Sequence, residues 1–376
     1  MNNIRIRKWI LPILFMGTIT VLSLVTFFGT HKTYSENEKR MLAEFPKFSL
    51  EAVMSGSYQK QLETYISDHI SGRDFFVGVD TYFSHLMGRN ALGDIYRSDG
   101  DYLINAPKND SNGHFVKNMN NFEKFADKIG VPCSMIIVPS AGYIMEDRLP
   151  AFHGQYNDDK LFEKASDLTP SVKFFDARVP LIEAYNAGKQ VYYRTDHHLT
   201  SSGTYELYKA YCDFAEINYP IESTYTKEIH GGFYGTTYSS SGYWMTEADN
   251  IELWDSGEKV CVTHDEDTKT KWDTVFFKTH LTKKDKYPVF LDGNHSYVKI
   301  ENPGVKKGNL LIIRDSYAQC FAPFISHNYR NIYMLDMRYY RNSVLGLVEE
   351  KEIDEVLFLY GIDTLLTDSS TSWLMF

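Results

Sequence analysis

The chain has 376 residues, 43% hydrophobic and 15% aromatic, enough to bury one large core or two small ones. Its net charge is −10, and residues 1–29 carry only basic charges, so residues 30–376 are more acidic still. This balance argues against nucleic acid, whose binding depends on neutralising phosphates, and against strongly acidic polymers.

Trp9 to Gly29 is uncharged and largely apolar. That length suits a helix crossing a hydrocarbon core of about 30 Å. Arg5, Arg7 and Lys8 precede it, and the positive-inside rule puts residues 1–8 in the cytoplasm and residues 30–376 outside. A cleaved signal peptide is the rival reading. The long apolar run, with no small-x-small site after it, favours a single-pass signal-anchor at 9–29.

Residues 30–113 read as a stalk and N-terminal segment, helical over 56–88 with interruptions at Asp68, Gly72 and Arg73. Ser98-Asp99-Gly100-Asp101 marks the turn of a small hairpin. From residue 114 helices and strands alternate. A helix carrying Phe115, Met119, Phe122, Ala126 and Ile129 stops at Gly130. Strands are expected at 132–138, 172–175, 190–193, 309–313, 331–335 and 355–359. Helices are expected at 178–187, from Thr200, at 317–327 (ended or kinked early by Pro323) and at 342–351. The alternation predicts an α/β fold with a mostly parallel sheet covered on both faces. Residues 219–306 break the rhythm and read as a β-rich insertion. Cys133, Cys212, Cys261 and Cys320 form no C-x-x-C pair, which argues against a zinc site or a thioredoxin-like motif and favours buried thiols; one disulfide stays open.

Two stretches carry candidate chemistry. Asp196-His197-His198 follows the expected strand at 190–193, and Ser316 follows the strand at 309–313. Serine attack on an ester needs a base, and the base needs an orienting carboxylate. Asp196, His198 and Ser316 offer all three, each at a sheet edge where open α/β sheets bind ligands. Backbone N–H groups at the helix start near Tyr317 would serve a developing oxyanion. The same residues have ordinary uses: Asp315 or Ser316 as a helix cap, Asp196 as a cap beside surface histidines. A metal reading lacks an evident third and fourth ligand, and no metal or cofactor is expected.

These motifs sit among further signatures. Ser35–Arg40 with Leu42, Ala43 and Pro46, then Asp68 with Gly72 and Arg73, then Ile137–Ser140 with Leu149 and Pro150, precede Tyr193–Thr200, Asp315–Ala318 and Leu335–Tyr340. Together they resemble the DHHW family of Gram-positive bacteria and, more distantly, alginate O-acetylation proteins of the AlgJ and AlgX group. The resemblance implies an SGNH-hydrolase-like three-layer fold with permuted catalytic blocks over residues 114–376. It implies Ser316 as nucleophile, His198 as base and Asp196 as its partner, with His197 in a supporting role. It implies transfer of an acyl group, usually acetyl, to a polysaccharide outside the cytoplasm. The donor would be supplied through a membrane-bound O-acyltransferase. An esterase using the same triad and a non-catalytic glycan-binding scaffold are the alternatives. Leu199 stands where the family has Trp, and Arg314 where wider SGNH enzymes have Gly. Gly361, Tyr317 and Arg338 are the candidates for the oxyanion site or pocket.

Overall fold

The computed structural model describes residues 2–29, 31–35, 37–265 and 270–375. By internal packing the chain divides into two compact units. The smaller comprises residues 1–89 and 238–245, and the larger takes the rest. Residues 90–113, which the pattern places with the stalk, lie in the larger unit.

The smaller unit begins with helix Asn2–Phe28, whose stretch Trp9–Phe28 is long and apolar enough to cross a membrane and equally fits a signal sequence. Helices Ser57–His69 and Arg73–Leu86 follow, parted at Gly72, which takes the left-handed conformation that costs glycine least. The signature residues here are structural. Arg40 grips Asp68 with both amino groups at 2.9 and 2.5 Å, and the Ala43 N–H adds a third bond at 2.9 Å. The bond from Arg40 is the main reason the Asp68 carboxyl is pulled down to about 2. Trp244 lies against Gly78, where a Cβ would come within 2.9 Å of the indole. The indole N–H donates to the Asp74 carbonyl at 2.9 Å.

The larger unit is built on seven strands. They are β1 (Cys133–Val138), β2 (Lys173–Phe175), β3 (Cys261–His264), β4 (Tyr297–Glu301), β5 (Asn309–Arg314), β6 (Asn331–Asp336) and β7 (Glu355–Gly361). Their spatial order is β3-β4-β6-β5-β7-β1-β2. The run from β6 to β2 is parallel, while β3 and β4 extend the edge antiparallel. Part of the β-rich insertion thus belongs to the main sheet.

Successive strand side chains point to opposite faces. Ile136, Ile312 and Leu357 therefore join helices Arg178–Asn186, Ser201–Ala215 and Tyr317–Ile325 in one core. Ile137, Ile313 and Phe358 join helices His114–Ile129, Asp158–Leu168 and Val344–Glu350 in the other. This is the three-layer α/β arrangement the pattern and the resemblance implied. The four cysteines are free thiols, and burial pushes those of Cys133 and Cys212 up to about 12.

Two expectations change. Residues 190–193 form no strand. Their polar backbone groups are satisfied inside a closed loop, with Tyr193 N–H donating to the His198 carbonyl at 3.2 Å and Thr200 N–H to the Val191 carbonyl at 2.9 Å. Pro323 does not cut its helix short. It lies in the last turn, and the helix runs on to Ile325.

Candidate active site

β5 leads into helix Tyr317–Ile325 on one face of the sheet, whereas its neighbour β7 leads into helix Ile362–Thr367 on the other. Where neighbouring connections diverge, a crevice opens at the carboxyl ends of the strands. Ser316 sits there, between Arg314, the last residue of β5, and Tyr317, the first of the helix.

One carboxylate organises this turn. Asp315 Oδ1 accepts the Tyr317 N–H at 3.0 Å, and Oδ2 accepts the Gly361 N–H at 2.9 Å and the Thr364 hydroxyl at 2.7 Å. Burial raises the Asp315 pKa, and these hydrogen bonds oppose it. Both expected oxyanion donors, Tyr317 and Gly361, are therefore occupied by Asp315. Gly361 has another reason to be glycine: a Cβ there would lie 2.3 Å from the Tyr317 ring. Arg338 directs its guanidinium into Asp336 at 2.8 and 2.6 Å. Among the described residues no acceptor binds the Ser316 N–H, which leaves that group at the helix start for an oxyanion. Arg314 is fully buried; its guanidinium reaches Asn294 Oδ1 at 3.3 Å, the His295 carbonyl at 3.1 Å and Asp336 at 3.5 Å.

The histidine arrives from the 190–200 loop. His198 Nε2 lies 2.7 Å from Ser316 Oγ, and Nδ1 lies 2.5 Å from Asp196 Oδ1. The same oxygen accepts the His198 backbone N–H at 2.9 Å, which fixes the ring against its own chain. Asp196 Oδ2 accepts the Thr236 N–H at 2.6 Å and its hydroxyl at 2.9 Å. The chain passes this close only because residue 235 is glycine, whose Cβ would fall 2.1 Å from that of Asp196. Such bonding directs the His198 Nδ1 proton toward Asp196, leaving the Nε2 lone pair for Ser316.

Three further supports were not among the residues the sequence singled out. Asp249 accepts the Arg194 N–H at 3.0 Å, the Thr195 N–H at 2.8 Å and the Thr195 hydroxyl at 2.6 Å, clamping the loop just before Asp196. Thr236 steadies Asp196. Tyr287 lays its ring on His198 at 3.8 Å and 11° between planes, and its hydroxyl donates to the Ser316 carbonyl at 3.0 Å. The one signal for Thr236 is the Gly/Thr-rich run around it; Asp249 and Tyr287 have none.

His197 stands beside the triad. Its Nδ1 is 2.7 Å from the Thr236 hydroxyl, and its carbonyl accepts the Tyr317 hydroxyl at 2.7 Å. Leu199, at the expected Trp position, is buried in the core. A narrow cavity of about 10 Å³, lined by Asn105, Ser140, Asp196, His197, Tyr317 and Asp363 among others, adjoins the site. It has room for about one water.

A family model described as DHHW protein matches residues 38–127 and 180–335, well over half of the chain. The chain belongs to the DHHW family. A DHHW family protein from Eubacterium siraeum has a similar fold, with a TM-score of 0.63 at 21% identity over 74% of this chain and 93% of that one. Bacillus cereus PatB1 follows, with a TM-score of 0.59 at 17% identity over 73% and 98%; its sulfonyl adduct matches at 0.60. The O-acetyltransferase domain of Pseudomonas putida AlgJ is a looser match, with a TM-score of 0.44 at 12% identity over 73% and 92%. No curated protein sequence matches this DHHW chain.

Proposed function

We propose that this DHHW protein is a serine-dependent O-acyltransferase that moves an acetyl group onto a polysaccharide outside the cytoplasm. The observation that carries the proposal is the hydrogen-bonded line Asp196–His198–Ser316, in which His198 and Ser316 stand 118 residues apart in the chain. An imidazole bonded to a buried carboxylate on one nitrogen and a hydroxyl on the other is arranged for proton transfer.

Ser316 Oγ attacks the carbonyl carbon of the acyl donor while His198 Nε2 takes its proton. The Ser316 N–H faces the charge on the carbonyl oxygen. The donor's alcohol leaves with the proton from His198, and Ser316 holds the acyl group as an ester. A sugar hydroxyl then gives its proton to His198, attacks the ester carbonyl and carries the acyl group away. The proton returns to Ser316. Asp196 stabilises the imidazolium in both steps. Water in place of the sugar gives hydrolysis through the same groups.

The acetyl group, the glycan acceptor and delivery through a membrane-bound O-acyltransferase rest on family membership. Placement outside the membrane, anchored by Trp9–Phe28, rests on the apolar helix and the basic residues before it. The test uses the full-length protein in detergent with a small acetyl ester, an acceptor oligosaccharide and a sulfonyl fluoride probe. We expect the probe to label Ser316, and acetyl to reach the sugar faster than water. A folded wild-type protein that is neither labelled nor turns over would overturn the proposal. Release of acetate with no acetylated sugar would make it an esterase.

A further inference from the structure

We propose that His264, Asp292 and His295 form a binding site for a divalent transition-metal ion of the zinc type. One ligand atom from each lies within 4.8 Å of the others. Ligands sharing a zinc ion at 2.0–2.1 Å lie roughly 3.4 Å apart, so the two rings turn out of their stack to close on one ion.

The independent observation is a pair of orphaned ring nitrogens. His264 is only 4% exposed, and its Nε2 has no hydrogen-bond partner. The Nε2 of His295 is likewise buried without a hydrogen-bond partner. The two rings stack at 3.9 Å and 11° between planes, and Asp292 Oδ2 lies 3.8 Å from His295 Nε2. A buried imidazole nitrogen with no partner costs stability unless something fills its lone pair or takes its proton.

The surroundings orient these groups as ligands. His295 Nδ1 bonds Asp265 Oδ2 at 2.8 Å, which places its proton on Nδ1 and its lone pair on Nε2. Asp265 is itself held by Ser296, through its N–H at 3.0 Å and its hydroxyl at 2.9 Å. His280 Nε2 lies 2.5 Å from Asp292 Oδ1, leaving Oδ2 toward the two histidines. Leu291, Asp292 and Gly293 all have positive φ, the tight turn that brings Asp292 back over His295. Asp292 is the one carboxylate of the cluster, and the nearby Arg314 guanidinium lies 3.5 Å from Asp336. Two imidazoles and a carboxylate suit zinc and its neighbours better than calcium or magnesium, which prefer all-oxygen sites.

The full-length protein, purified without a histidine tag and stripped by a chelator, is titrated with Zn²⁺ against a chromophoric competitor. We expect one equivalent to bind. Asp265→Asn should weaken binding about 10–100-fold, as loss of an orienting carboxylate does elsewhere, and His264→Gln and Asp292→Asn more than that. Asp196→Asn should leave zinc affinity unchanged. X-ray absorption of the zinc-loaded wild type needs no variant, and should show two imidazoles at about 2.0–2.1 Å. No stoichiometric binding, undiminished binding in His264→Gln, or a shell without two imidazoles overturns the proposal. Loss of zinc in Asp196→Asn overturns it as well, since the ion would then sit at the triad.

Discussion

Ser316 is held by a strand, a helix and one buried carboxylate, Asp315, whose partners all sit at the ends of neighbouring elements. His198 is held differently. Its loop has no regular structure, and its position depends on Asp196, Thr236, Asp249 and Tyr287, three of them from the β-rich insertion. A turn between a parallel strand and a helix is stiff in its own right. A loop must borrow stiffness from side chains, and each borrowed contact is a place where catalysis can be weakened without unfolding the protein.

The largest effect should come from cutting the line between the two halves. Ser316→Ala or His198→Ala should each lower turnover by about 10⁶, and the double variant no further, because the residues act as a unit. Additive losses would mean that the halves work separately. Asp196→Asn keeps the shape but misorients the imidazole, and should cost about 10⁴ in kcat with little change in melting temperature.

Asp315→Ala tests the other half. It leaves the Gly361 and Tyr317 N–H groups without their acceptor, and should destabilise the protein by about 3–5 kcal/mol in urea unfolding. If Asp315→Ala instead lowered activity at full stability, the turn would be no stiffer than the loop.

Asp363 lines the cavity shared by both halves, and burial, followed by repulsion from Asp158, pushes its carboxyl up to about 6. The folded chain therefore holds a proton that an unfolded chain, with an ordinary Asp near 3.9, has released. That contribution is favourable below about pH 4 and is lost as pH rises to about 6. Asp363→Asn should flatten that part of the slope and raise stability at pH 7 by up to about 3 kcal/mol. Denaturant unfolding at several pH values reads it, and an unchanged slope would show that Asp363 is not held protonated. The smallest effect is expected from Tyr287→Phe, which keeps the ring on His198 and removes one hydrogen bond to Ser316, worth about 1 kcal/mol. Tyr287→Leu, which removes the stack, should lower kcat more than it raises KM.

The α/β alternation, the serine at the end of β5 and the Asp-x-His spacing can all be read from residue order, because strands and helices write their buried faces as periods of 2 and 3.6. Glycine at 361 is legible as an oddity, though not as the residue that makes room for Tyr317. Residues 190–193 resemble a strand in sequence because a short apolar run looks the same whether it pairs with a sheet or closes on itself. Which N–H groups Asp315 occupies, and that Asp249, Thr236 and Tyr287 hold the histidine, depended on folding. Those contacts join irregular segments far apart in the chain, and hydrogen bonds between them leave no period to read. His264 meets Asp292 and His295 in the same way: it lies on an edge strand nearly thirty residues before them, and the sheet edge and one tight turn face each other.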